Sequence, residues 1–257
     1  MNPPTPGTLY LVPTPLDFGC NDAAALAEVL PEATVATAAR LTHWVTENAK
    51  STRAFLKRVA LTHPLAAVLQ AQQITELPRA VHKKGDHDPA QGFDARPLLA
   101  AALAGQDIGL VSEAGMPAIA DPGASVVRAA HALGLPVVPL VGPVSLMLAL
   151  AASGLSGQHF AFVGYLPQEA SARGQRLREL EALAQKTGQT QLFIETPYRN
   201  EAMLQGLLQT LQPATRLAVC AGITLPQQAV HSALVSEWKK ARPALPLDLP
   251  AVFLIGR

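Results

Sequence analysis

The chain has 257 residues, 49% of them apolar and 15% charged, with a formal net charge of +1. Such a composition buries a core and excludes a disordered chain, and the length fits one large domain or two small ones. The near-neutral balance excludes a globally basic nucleic-acid binder, leaving a local basic patch as the route to a polyanion. Cys20 and Cys220 stand far apart, in no metal or redox spacing, which fits a reducing compartment rather than a disulfide framework. The opening MNPPTPGTLYLVP has no basic start and no cleavable apolar stretch, so no signal peptide is expected.

In chain order, Thr8 to Pro13 (TLYLVP) reads as a short buried strand running into a proline loop. Asp22 to Leu41 is Ala-rich and partly helical, broken at Pro31. His43 to Glu47 (HWVTE) is a second strand. Ser51 to Val59 is an amphipathic helix that Ser51 can cap, with Phe55, Leu56 and Val59 on one face. His82 to Asp94 is polar and turn-rich and should be an exposed loop; its His82 and His87 lack metal-ligand spacing and read as surface residues, so no metal is expected. Then follow a helix (ARPLLAAALAG), a strand (DIGLVS), the loop EAGMPAIAD, and a helix (PGASVVRAAHALG) stopped at Gly134.

Leu135 to Leu155 carries no charge and is long enough to span a bilayer. Pro136, Pro139 and Pro143 fall in its first half, so a buried strand, a turn and a buried helix explain it better, and no membrane span is expected. After LSGQH the pattern restarts: strand FAFVGYL, a charged amphipathic helix, strand TQLFIETP, helix YRNEAMLQGLLQTLQ and strand TRLAVCAG. QQAVHSALVSEW and DLPAVFLIG, with a short helix between, close the chain. Strand–helix alternation argues for α/β architecture with mostly parallel or mixed sheets. The expected domains are 1–156 and 157–257.

In open α/β sheets, ligands bind beyond the carboxyl ends of the strands. Pro/Gly loops fall at four such ends: VPTPL, which begins with Val12 and Pro13, then SEAGMP, VGPVS and ETPYR. Glycine lets a backbone approach a ligand, and proline sets the loop's shape before the ligand arrives. Neither GxxxxGK(S/T) nor GxGxxG after a strand is present, and a plain connecting loop is the rival reading of AGMPAIADPG.

GTLYLVPTPL, VSEAGMPAIADPG, GPVSLMLALAASGL, FVGYLP and FIETPYR occur in one order and at one set of spacings. Together they resemble the tetrapyrrole (corrin/porphyrin) methylase superfamily of S-adenosylmethionine-dependent methyltransferases, nearest its ribosomal RNA small-subunit methyltransferase I branch. That branch methylates a cytidine ribose 2′-hydroxyl. The resemblance implies two α/β domains with the donor in a cleft between them, S-adenosylhomocysteine as product, a cytoplasmic homodimer, and an RNA or small-molecule acceptor. It carries donor contacts onto Gly115, Met116 and Pro117, onto Ala120, onto Val144 and Ser145, onto Thr196, and loosely onto Leu225. Pro13, Ser112 and Glu113 join them as neighbours in the first two loops. Two blocks depart from the branch. Where it reads AEDTR-x-TR this chain has TENAKSTR, with Asn48 for the Asp and Lys50 for the first Arg; where it carries Arg-Glu-Leu-Thr-Lys this chain has AGITL, Ala221 to Leu225. A tetrapyrrole carbon methylase and a catalytically inactive donor-binding protein are therefore the alternatives.

Methyl transfer from a sulfonium is an in-line displacement in which the protein chiefly positions the partners. A hydroxyl acceptor must lose a proton, and a weak base suffices when it is well placed. Glu47, ending the second strand, is the first candidate for that acidic role; stabilising the next helix's N-terminus is the plainer reading. Lys50 and Arg53 share a helix face and either hold a phosphate or carboxylate of the acceptor or form a solvated face. Glu113 either orients the donor or caps its loop. Asp121 reads as a helix N-cap rather than a catalyst. Tyr198 and Arg199 either stack on a planar ring or pack. Arg173, Arg176, Arg178 and Lys186 are interleaved with Glu179 and Glu181, which favours an exposed face.

Overall fold

The computed structural model describes residues 5–17, 25–78, 81, 86 and 93–257. Cys20, the helix start expected at Asp22, and His82 and His87 lie outside them. The described chain groups into two compact units, Met1–Val144 and Ser145–Arg257.

The first unit begins with β1 (Leu9–Leu11) and two short helices, α1 (Leu26–Val29) and α2 (Glu32–Arg40), parted at Pro31 as its fixed φ and missing N–H dictate. β2 (His43–Thr46) and α3 (Ala49–Val59) follow. A 3-10 turn (Leu69–Ala71) leads into β3 (Gln73–Glu76), and a second (Arg96–Leu99) into α4 (Ala100–Leu103). β4 (Ile108–Val111), α5 (Ala124–Ala132) and β5 (Val137–Pro139) complete the unit. The strands pair in the order β3-β2-β4-β1-β5, and every pairing is parallel.

Neighbouring residues of one strand fall in different cores, as the pleat requires. Trp44 and Val111 join Val12, Val35, Phe55 and Leu56, while Val45 and Leu110 join Leu9, Leu99 and Val126. Each such side chain contributes about 1.5–3 kcal/mol by leaving water. The buried Trp44 indole N–H donates to Gln72 Oε1 at 2.9 Å, which pins the turn before β3 to the sheet.

The second unit holds α6 (Ser145–Ser153), β6 (Phe160–Tyr165), α7 (Ala170–Thr187), β7 (Thr190–Glu195), α8 (Pro197–Thr210), β8 (Arg216–Ala221), β9 (Ala229–Leu234), α9 (Val235–Lys240) and β10 (Ala251–Gly256). Its sheet is mixed, in the order β6-β7-β10-β8-β9, with β6 and β7 parallel and the other pairings antiparallel. Phe193 and Phe253 stack at 5.9 Å between centroids within a core that includes Leu177, Leu204 and Trp238. The helix α6, on the near side of the boundary expected at residue 156, packs on β8, β9 and β10, with Leu146, Ala149 and Leu150 buried. The uncharged Leu135–Leu155 run thus resolves into strand, turn and nine-residue helix, but the strand is not buried as expected, because β5 lies at the edge of the sheet with Val138 and Pro139 exposed. Among the described residues no helix is long and apolar enough to cross a membrane.

Glu181, expected on an exposed face of α7, is buried at 3% exposure. Its carboxylate accepts from Gln212 N at 2.8 Å and Thr215 Oγ1 at 2.5 Å, so it ties the loop before β8 to the helix.

Candidate active site

Because the first sheet is wholly parallel, its strands end at one edge, and three neighbours deliver loops there side by side. β1 supplies Pro13 to Leu16, β4 supplies Ser112 to Pro117 and β2 supplies Glu47. Thr14 and Gly115 clasp the first two through a pair of backbone bonds, each amide donating to the other's carbonyl at 3.0 Å. Gly115 has φ +78°, and a Cβ there would stand 2.9 Å from Leu16 Cδ2. A Cβ on Gly142, in the loop after β5, would stand 2.3 Å from Pro13 Cγ. Three loops therefore meet through backbone and proline rings, with no room for a further methyl group.

Two alanines of the same stretch, Ala118 (φ 65°) and Ala120 (φ 63°), hold the left-handed conformation. It costs an L-residue about 1–2 kcal/mol, and such strain gathers at functional loops. Pro13, Ser112, Gly115 and Pro117 are buried, Met116 is half-buried, and Glu113 and Ala120 are exposed. The Thr14 hydroxyl is buried without a hydrogen-bond partner among the described residues.

Acidic groups collect beside this clasp. Glu47 N donates to Val111 O at 3.3 Å, and Glu47 Oε2 accepts from Glu113 N at 3.2 Å. Glu113 Oε1 accepts from Asn48 Nδ2 at 2.8 Å. Asp121 shares a hydrogen bond with Ser112 and faces both glutamates. Burial, then the charge of Glu47, and to a smaller extent that of Glu113, push its carboxyl up to about 7 against the opposing Ser112 bond. Asp121 is therefore not the helix cap expected of it. The cap of α5 comes from Asp86, whose Oδ2 accepts from Gly123 N (2.8 Å), Ser125 N (2.9 Å) and Ser125 Oγ (2.6 Å). No local pattern announces a cap supplied from 37 residues away in sequence.

The start of α3 also differs from expectation. Asn48, not Ser51, is the N-cap: its Oδ1 accepts from Lys50 N at 2.9 Å and Ser51 N at 3.4 Å. Ser51 Oγ donates to Asn48 O instead. Glu76, at the end of β3, accepts from Ala49 N at 2.7 Å, and the Thr46 and Thr52 hydroxyls bond at 2.5 Å. So Asn48, standing where the resembled branch has Asp, caps the helix with its oxygen and donates to Glu113 with its nitrogen. Lys50 and Arg53 do share a face, but they open into a cavity of about 460 Å³ whose lining includes none of the loop residues above.

Val144 ends the first unit and Ser145 opens α6 of the second. Within the second unit, Thr196 is the N-cap residue of α8, and its N and Oγ1 both donate to Glu195 Oε1, at 2.7 and 3.2 Å. The same oxygen accepts from Arg199 Nη2 at 2.5 Å. Tyr198 is 81% exposed, so it is not a packing residue. Leu225 is buried in the turn from Gly222 to Gln228, beside Thr224 with φ 70°.

The model of the family described as Tetrapyrrole (Corrin/Porphyrin) Methylases matches residues 25–238. The ribosomal RNA small subunit methyltransferase I of Escherichia coli O157:H7 is 29% identical over 231 residues, 90% of this chain and 70% of its own. That of Xylella fastidiosa is 32% identical over 217 residues, 84% of this chain and 68% of its own. That of Vibrio cholerae is 34% identical over 151 residues, 59% of this chain and 51% of its own. The structure of the methyltransferase CobJ is similar with a TM-score of 0.54 at 18% identity, covering 98% of this chain and 94% of its own. At that identity the likeness shows the fold alone.

Proposed function

The chain belongs to the tetrapyrrole (corrin/porphyrin) methylases, a family of methyltransferases, and we propose that it moves the methyl group of S-adenosylmethionine to a ribose 2′-hydroxyl of RNA. The observation that carries this reading is the Thr14–Gly115 clasp, a backbone cradle with a buried, unsatisfied hydroxyl, set beside a carboxyl that titrates near neutrality. A buried hydroxyl without a partner costs about 1–3 kcal/mol, which a polar group of the donor would recover. Gly115 keeps the cradle open, since a Cβ would press on Leu16.

In this reading Pro13, Ser112, Glu113, Gly115, Met116, Pro117, Ala120 and Val144 hold the donor. The bound donor supplies an electrophilic methyl on a sulfonium, and S-adenosylhomocysteine is left. Asp121, with Glu47 raising its proton affinity, accepts the proton of the ribose hydroxyl, a weak-base role suited to a well-positioned acceptor. RNA is preferred over a tetrapyrrole because the curated relatives are named for ribosomal RNA. The proposal extends to a cytoplasmic homodimer, tested by sedimentation.

Calorimetric titration with S-adenosylmethionine should show one site, and labelled methyl should appear on a ribose of small-subunit RNA from cells lacking the gene. No donor binding at about millimolar concentration would sink the proposal. Label on a porphyrinogen instead of RNA would move the acceptor to the tetrapyrrole class. Donor binding without turnover on either would leave a binding protein.

A further inference from the structure

We infer that the outer face of α3, with the 3-10 turn Leu69–Ala71, is a seat for the phosphodiester backbone of the RNA; this rests on RNA being the acceptor. Thr52, Phe55, Leu56 and Val59 take the inward face of the helix. That leaves Lys50, Arg53 and Lys57 at i, i+3 and i+7, one outward stripe. With Ala54, Leu69 and Gln70 they line the cavity of about 460 Å³. Its far wall is fixed, because Gln72 accepts from the Trp44 indole and donates to Ala67 O, and Ala66 N donates to Ala39 O.

The charges on this stripe are unbalanced. Arg40, Arg58, Arg96, Arg176, Arg199 and Arg242 each pair with an acid. Among the described residues no carboxylate lies within 4.0 Å of Lys50, Arg53 or Lys57, and Arg53 reaches only Ala49 O at 3.4 Å. Lys50 sits in the first turn of α3, where the helix dipole disfavours a cation and favours an anion. Three cations along one exposed helix face, the first of them at the positive end, in a chain with a net charge of only +1, fit an anionic partner rather than a solvated face. Lys50 and Lys57 are about 10.5 Å apart along the axis, roughly three nucleotides of stacked strand at ~3.4 Å each. Leu69 and Ala54 give the lysine stems an apolar bed, and the Gln70 amide can bond a ribose or base edge.

The test is fluorescence anisotropy with a small-subunit RNA fragment between about 50 and 200 mM salt. Replacing all three (Lys50→Gln, Arg53→Gln, Lys57→Gln) should weaken binding more than about tenfold and flatten the salt slope by roughly 2, at about 0.7–0.9 per phosphate contact. Donor binding by calorimetry should be unchanged. Lys57→Glu, at one exposed site away from the helix start, should weaken RNA in the same direction, while Lys57→Arg should keep wild-type affinity. An unchanged affinity and slope in the triple variant, with the wild type still binding and methylating RNA, overturns this seat and leaves the methyl-transfer proposal standing. A wild type that neither binds nor methylates RNA overturns both. Polyglutamate bound as tightly as RNA overturns the assignment to phosphodiesters.

Discussion

Asn48 Nδ2 donates to Glu113 Oε1 at 2.8 Å while Asn48 Oδ1 caps α3, so one amide joins the helix start to the acidic corner of the candidate site. An Asp at 48 would keep the cap, lose the donor, and set a carboxylate against Glu113 and near Glu47. Asn48→Asp should therefore lower stability by about 1 kcal/mol at pH 8 and recover most of it only below about pH 4, read from urea unfolding. Asn48→Ala, which removes the cap as well, should cost about 1–2 kcal/mol at both pH values.

Gly142 and Gly134 separate the effect of space from that of backbone angle. A Cβ at Gly142 would meet the rigid ring of Pro13 at 2.3 Å, whereas one at Gly134, with φ +69°, meets nothing within 4 Å. Gly134→Ala should cost only the left-handed penalty, about 1 kcal/mol, and leave donor affinity alone. Gly142→Ala should cost about 1–3 kcal/mol and also weaken donor binding, because the loop carrying Pro13 must move. Equal donor affinity in both variants would contradict the role given to the meeting of these loops.

The parallel core of the first unit was legible because buried strands such as Ile108–Val111 are unbroken apolar runs, and the strand-end loops because Pro and Gly mark them. β3 was not: Gln73–Glu76 is an edge strand exposed along most of its length, so it carries no apolar pattern. The cap of α5 by Asp86 and the burial of Glu181 escaped for one reason, since each satisfies backbone groups distant in sequence. Glu47 was legible as a candidate from its place at a strand end, and Glu113 from its place in the Pro/Gly loop. The titration of Asp121 was not, because it depends on which carboxylates the sheet order brings together.

Glu181 gives that second case a measurable size. Glu181→Gln keeps an acceptor for Gln212 N and should cost about 1 kcal/mol in urea unfolding. Glu181→Ala strips the bond and opens a cavity beside Leu177 and Leu180, so about 2–4 kcal/mol is expected. A Gln variant as unstable as the Ala variant would mean that the charge, and not the acceptor, holds the loop.

Asp121 makes the strongest pH prediction. Its carboxyl titrates at about 7 in the folded chain against an ordinary value of 3.8, so the folded state binds this proton more tightly than the unfolded one. As pH rises from about 4 to 7 the unfolded chain has released the proton and the folded chain still holds it, so this group makes unfolding easier with rising pH. Glu201, held down to about 2 by Arg242, acts the opposite way, losing its contribution only as pH falls below about 4.5. Between pH 5 and 8 Asp121 therefore dominates over Glu201, and Asp121→Asn should be the more stable protein by a margin that widens across that window. Methyl transfer should rise through a midpoint near 7 as Asp121 loses its proton, and Glu47→Gln, which removes one of the charges facing it, should move that midpoint down. A midpoint unmoved by Glu47→Gln, with Asp121→Asn as active as the wild type, would take Asp121 out of the reaction.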